Sequence, residues 1–184
     1  MKLSSKLLLV GTLGIAMQTA FADDVQVDPN NQARIRFFGQ AVIGLEFYRN
    51  NICYGEGDSE TASSTGFGGV FGSKKNISLG MPTTPNVTNI KERNGILAKA
   101  YFREYAISAG EPIAIHASYN ESTGRRSWSC KDFGASFVPE KGQDYEVTLD
   151  LSQQSCQLNI SKINVANGDV NLTPVVAKPA QECQ

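Results

Sequence analysis

The stretch Trp128 to Ile163, W-S-C-K-D-F-G-A-S-F-V-P-E-K-G-Q-D-Y-E-V-T-L-D-L-S-Q-Q-S-C-Q-L-N-I-S-K-I, decides the fold class. Phe133, Ala135 and Phe137 alternate along one segment, and Pro139 to Gly142 make a turn. Tyr145, Val147, Leu149 and Leu151 alternate again, with Glu146, Thr148 and Asp150 facing the other way. After a polar turn, Cys156, Leu158 and Ile160 form a third run. Apolar residues at a period of two across two turn signals predict a meander of half-buried antiparallel strands. Cys130 opens the first strand and Cys156 the third, which predicts a disulfide staple across the meander.

Outward from that stretch, the N-terminus carries an export address. Lys2 and Lys6 precede an apolar run from Leu7 to Ala16, and Ala20-Phe21-Ala22 is an A-x-A cleavage signal. The mature chain is expected to begin at Asp23, to be periplasmic or secreted, and to carry no transmembrane segment, because the apolar run is short for a spanning helix. Cys53, Cys130, Cys156 and Cys183 all lie in the mature part. An even count in an exported chain predicts two disulfides. With Cys130–Cys156 paired, Cys53–Cys183 follows by elimination and ties the C-terminal tail to an early strand. A zinc site is the competing reading. It is disfavoured by the absence of a C-x-x-C pair and by the distance in sequence of His116 from every cysteine. No metal and no cofactor is expected.

Removing Lys2 and Lys6 leaves fifteen basic against eighteen acidic side chains, a mildly negative mature chain without a basic stripe. Nucleic acid is therefore not an expected partner. The boundaries read as a cleaved signal peptide over 1–22, a flexible leader over 23–32, one β-sandwich domain over 33–173 and a polar tail over 174–184. In the first strand Ala33, Ile35 and Phe37 alternate with Arg34 and Arg36. Two arginines on one strand could recognise a carboxylate or phosphate; a solvated strand face is the expectation. Residues 99–107 are apolar on both faces for part of their length, which predicts a central strand. Ala109-Gly110-Glu111-Pro112 predicts a hairpin into Ile113, Ile115, Ala117 and Tyr119, and Asn120 to Ser127 reads as a polar loop. About eight short strands with frequent turns give an all-β chain, a single antiparallel β-sandwich with a long Gly-rich loop.

Two stretches, Y-A-I-S-A-G-E-P-I-A-I at Tyr105 to Ile115 and F-V-P-E-K-G-Q-D-Y-E-V at Phe137 to Val147, resemble small exported bacterial proteins with a prealbumin-like or PEGA-like β-sandwich. The resemblance lies in turn grammar, covers about half the mature chain and implies a fold without a chemistry.

Groups able to perform catalysis are sparse. His116, the one histidine, could serve only Ser118 or Ser127, and no G-x-S-x-G elbow exposes a serine. The pairs Asp58/Glu60 and Asp144/Glu146 could suit a glycosidase, but loop or strand solvation is the simpler expectation. The chain therefore reads as a non-enzyme, with no catalytic residue. The Gly-rich run G-F-G-G-V-F-G lacks P-loop spacing. Its Phe67, Val70 and Phe71 either form a contact tip or tuck back onto the sandwich, and Arg125 and Arg126 join them as candidate contacts. The expected function is that of a binding or accessory protein of the bacterial envelope whose partner is a protein or other envelope macromolecule. A periplasmic inhibitor or immunity protein blocking a toxin or cell-wall enzyme is the alternative. The residues leave the oligomeric state open.

Overall fold

The computed structural model describes residues 27–40, 42–65, 75–94, 99–122, 127–151 and 155–184. The signal segment and the candidate contact residues Phe67, Val70, Phe71, Arg125 and Arg126 lie outside them. Ten strands are described: β1 (Gln32–Gly39), β2 (Ile43–Arg49), β3 (Ser59–Ser63), β4 (Tyr101–Ser108), β5 (Ile113–Ser122), β6 (Ser127–Phe137), β7 (Asp144–Asp150), β8 (Gln157–Ala166), β9 (Asp169–Pro174) and β10 (Lys178–Pro179). A one-turn helix α1 (Pro85–Thr88) and a 3-10 turn (Ile90–Arg93) lie between β3 and β4. The strands form two five-stranded sheets: a front sheet in the order β4-β1-β7-β8-β9 and a back sheet in the order β10-β6-β5-β2-β3. The all-β sandwich expected from the alternation is the fold.

The meander is not. β6 belongs to the back sheet, whereas β7 and β8 form a hairpin in the front sheet. Pro139 to Gly142 therefore carries the chain from one sheet to the other. Ala109 to Pro112 does the same between β4 and β5, so it is a crossing and not a hairpin. The two crossings touch, the Gly110 N–H donating to the Pro139 carbonyl at 2.8 Å. Both turns place glycine at positive φ, Gly110 at 83° and Gly142 at 67°, where a side chain would be strained. A period-two pattern marks the buried face of a strand, and an inward face looks the same in either sheet of a sandwich. Because β7 arrives by a crossing, it lies parallel to β1, with Ile35 opposite Tyr145 and Phe37 opposite Val147. The other strand pairs described are antiparallel.

β4 is an edge strand, contrary to its expected central place. Residue 77 bridges its free edge, the Ile77 N–H donating to the Phe102 carbonyl and the Glu104 N–H to the Ile77 carbonyl. The residues that follow cover its outer face, where Glu104 accepts from the Leu79 and Met81 N–H groups. The polar loop expected from Asn120 to Ser127 is shorter than read, since β5 and β6 continue pairing from Asn120↔Ser129 to Ser122↔Ser127.

Between the sheets, Ile35 and Phe37 meet Leu45, Phe47, Ile115, Ala117, Tyr145, Val147 and Leu149, all buried. The Phe37 and Phe47 rings stack at 5.1 Å, and Tyr105 packs edge-on to Phe47 at 5.0 Å. Leu149→Ala and Tyr145→Ala are each expected to cost about 2–5 kcal/mol through the cavity left behind. Equilibrium urea unfolding measures this, and a loss near zero would place β7 at the surface.

Both predicted disulfides form, Cys53–Cys183 with Cα atoms 5.1 Å apart and Cys130–Cys156 with 6.2 Å. Cys130 is on β6 and Cys156 just precedes β8, so this bond joins the two sheets instead of spanning a meander. Cys130→Ser is expected to make Cys156 reactive to thiol reagents in the folded protein while Cys183 stays protected. Labelling followed by peptide mapping checks it; reactive Cys183 would contradict the pairing.

The 174–184 tail has more than its cysteine to hold it. Val175 and Ala177 pack on the core, Lys178–Pro179 pairs with β6, and the Ala180 N–H donates to the Gly134 carbonyl at 3.0 Å. A Cβ on Gly134 would sit 2.4 Å from the Ala180 carbonyl oxygen, so glycine there lets the tail dock.

Candidate functional site

Alternation along β1 sends Ile35 and Phe37 inward and Arg34, Arg36, Phe38 and Gln40 to the outer face of the front sheet. That face is covered, and Arg36 is 1% exposed. The expectation of a solvated arginine strand is thus overturned: residues 75–94 fold across it. Arg36 donates through Nε (2.9 Å) and Nη2 (2.6 Å) to Glu104 Oε1, and its Nη1 stands 3.6 Å from Glu146 Oε2. Two buried carboxylates facing one guanidinium leave an excess negative charge, which is tolerable only if further donors solvate it. They do. Glu104 accepts from the Leu79 and Met81 N–H groups and the Ser78 hydroxyl. Glu146 accepts from the Thr84 hydroxyl at 2.8 Å and from the Asn86 amide. Arg34 makes a bidentate pair with Asp144, both bonds 2.7 Å, and a third bond to the Leu79 carbonyl.

These arginines therefore recognise the protein's own carboxylates. Asp144 and Glu146, considered above as a glycosidase pair, are committed to that clamp. Asp58 and Glu60 flank Arg49 instead, at 3.9 and 2.9 Å. The clamp fixes the covering segment, and the segment in turn builds the wall of a cleft.

Thr84 caps α1 by accepting from the Val87 N–H, with Pro85 in the first turn, where its missing N–H costs nothing. The following 3-10 turn is pinned by Gln40, whose side-chain amide donates to the Arg93 carbonyl at 2.6 Å. Arg93 is thereby held with its guanidinium 5.4 Å from the Phe38 ring centroid. Burial lowers its pKa from the ordinary arginine value, and the charges of Asp150 and Glu146 oppose that shift. Among the described residues no ion pair or hydrogen bond engages the guanidinium. It faces a cleft of about 520 Å³ whose opposite wall is Thr148 and Asp150 of β7 and Asn159 of β8. Asn86 and Asn89 of the helical turn complete it.

A larger groove of about 950 Å³ opens on the flank where the sheets diverge. Phe133 and Ala135 of β6 line one side, Leu158 and Ile160 of β8 with Leu172 of β9 the other, and the tail from Val175 to Gln181 runs along it. β10 pairs with β6 only at Ser136 and Ala135. From Ser127 to Phe133 no described strand occupies that edge of β6.

His116 lies on the outer face of the back sheet, half-buried, its ring stacked on Tyr54 at 4.3 Å. Ser118 shares that face, and Glu46 is the cross-strand neighbour of His116. No hydrogen bond among the described residues joins His116 to either. The Glu46 carboxylate accepts from Tyr48 at 3.0 Å and Thr61 at 3.3 Å instead. Ser127 stands at the far end of β6. The candidate serine and histidine are not brought into a relay, and among the described residues no group of three or more His, Cys, Asp and Glu side chains could hold a metal.

Sequence reading passed over Asn86, Asn89 and Arg93. Their spacing of three and four residues, which places side chains on one helical face, was the available signal. Thr148, Asp150 and Asn159 were legible only as an outward face. Among the described residues no helix is long and apolar enough to cross a membrane. The chain matches no family model, no curated protein and no solved structure.

Proposed function

We propose that this chain is an exported, non-enzymatic binding or accessory protein of the bacterial envelope, periplasmic or secreted, that receives an extended polypeptide segment along its open flank. The observation carrying the reading is the β6 edge beside the flank groove. An unpaired strand edge presents N–H and C=O groups that an incoming strand satisfies, while neighbouring apolar positions select its side chains. The protein's own tail shows the geometry, since Lys178–Pro179 already adds to β6 at one end of that edge. Phe133, 38% exposed, supplies an apolar contact beside the stretch on which no described strand pairs. Export is supported by the A-x-A signal and the two disulfides, which persist in oxidising compartments.

The test is a photo-crosslinking amino acid placed at Phe133 or Leu172, with Glu60 on the opposite edge strand as the control, in cells exporting the protein. Crosslinks to a second polypeptide from the flank positions and not from Glu60 are expected. Equal crosslinking from Glu60, or none from the flank, would overturn the proposal. Stoichiometric silencing of a crosslinked enzyme's activity would convert the reading to an inhibitor.

A further inference from the structure

We infer that the cleft between the Arg93 turn and the β7–β8 hairpin is a binding site for a neutral saccharide, one pyranose residue of a glycan or a free hexose. This is a second site, on the outer face of the front sheet; it shares Thr148 and Asn159 with the lining of the flank groove and takes its remaining polar walls from the helical turns and Asp150.

The chemistry of the walls selects the ligand class. Asn86, Asn89 and Asn159 carry amides, and Thr148 a hydroxyl, groups that combine donors with acceptors. Asp150 only accepts and Arg93 only donates. A sugar hydroxyl is itself both donor and acceptor, so a ring bearing adjacent hydroxyls satisfies such a mixed set from one face. Half-buried Leu151 lines the same cleft and meets the apolar C–H face that a pyranose also presents. A cleft of about 520 Å³ is of small-ligand size.

Charge decides against an anion. Arg93 alone would suit a phosphate or carboxylate, but Glu92 and Asp150 line the same cleft. Two carboxylates against one guanidinium repel a second negative charge at short range. A neutral polyol makes charge-assisted hydrogen bonds with both signs and is repelled by neither.

The walls are also fixed before a ligand arrives. The Asn86 amide nitrogen is held by Glu146, the Arg93 turn by Gln40, and the guanidinium by the Phe38 ring. Thr148 and Asn159 are register partners across the β7–β8 hairpin. Side chains held in place by their own partners lose little freedom on binding. Arg93 is the exception to the general pairing of charges on this face: it lines the cleft with no hydrogen bond or ion pair to its guanidinium among the described residues, whereas Arg34 and Arg36 are each paired with carboxylates.

The experiment is an amide-resolved NMR titration of the mature, oxidised chain with methyl glycosides of glucose, galactose, mannose and N-acetylglucosamine. Inorganic phosphate and glucuronate serve as anionic comparisons. At least one glycoside is expected to shift the resonances of Asn86, Asn89, Arg93 and Asn159. Arg93→Ala is expected to weaken that binding about tenfold or more, as the loss of a charged hydrogen bond. Asn159→Ala, a change on a strand that leaves the turn untouched, is expected to weaken it as well and decides the matter should Arg93→Ala lose its folded spectrum. Absence of shifts with every glycoside, shifts confined to other surfaces, undiminished binding by folded variants, or tighter binding of phosphate or glucuronate would each overturn the inference.

Discussion

Arg36→Ala is expected to cost on the order of 3–5 kcal/mol, because it strips Glu104 and Glu146 of their shared cation while leaving both carboxylates buried. Exposures of 1% for Arg36, 2% for Glu104 and 1% for Glu146 mean that water cannot replace the guanidinium without disrupting the cover. Such a loss is a large part of the stability of a domain this size. The readout is the urea midpoint at constant slope. A loss under about 1 kcal/mol, the range of an exposed ion pair, would show that the clamp is not sealed. Replacing all three side chains by apolar residues of similar volume should restore much of the loss, since a buried ion cluster is costly to break yet close to neutral to delete whole. The single variant should also release residues 75–94 and thereby dismantle the Arg93 cleft.

Breaking Cys53–Cys183 is the second large effect. With a sequence separation of 130 residues against 26 for Cys130–Cys156, the chain-entropy model assigns it about 5 kcal/mol, compared with about 3–4 for the shorter loop. A Cys53→Ala/Cys183→Ala variant is therefore expected to lose more than Cys130→Ala/Cys156→Ala, measured by equilibrium unfolding without reductant. The local structure points the same way. The Tyr54 N–H donates to the Gln181 carbonyl and the Cys183 N–H to the Tyr54 carbonyl, and both bonds depend on the tail staying beside residues 53–54. A reversed order of losses would mean that the native contacts of the tail, or residual structure in the unfolded chain, outweigh loop closure.

The inward side chains of β1, β2, β5 and β7 were legible because burial on one face imposes a period of two wherever a strand sits. The cysteine pairing was also legible, although the local pattern places both cysteines in one meander and the bond in fact joins two sheets. Proximity across a sandwich satisfied the same constraint. The edge position of β4 was not legible, because a cover supplied by residues 75–94 buries its outer face as a neighbouring layer would. Neither was the role of Arg34 and Arg36: a charged residue at alternate positions reads as solvated unless its distant partner is known.

By itself the sequence determined the all-β class, the residues that make the core, and the two disulfides, all of which follow from local periodicity and a count of four cysteines. Only the tertiary structure decided which sheet each strand joins, what becomes of the polar faces, and where Arg93 meets Asn159. Those depend on contacts between residues far apart in the chain, such as Arg36 with Glu104, 68 positions away. A local pattern carries no information about which distant carboxylate will complete it.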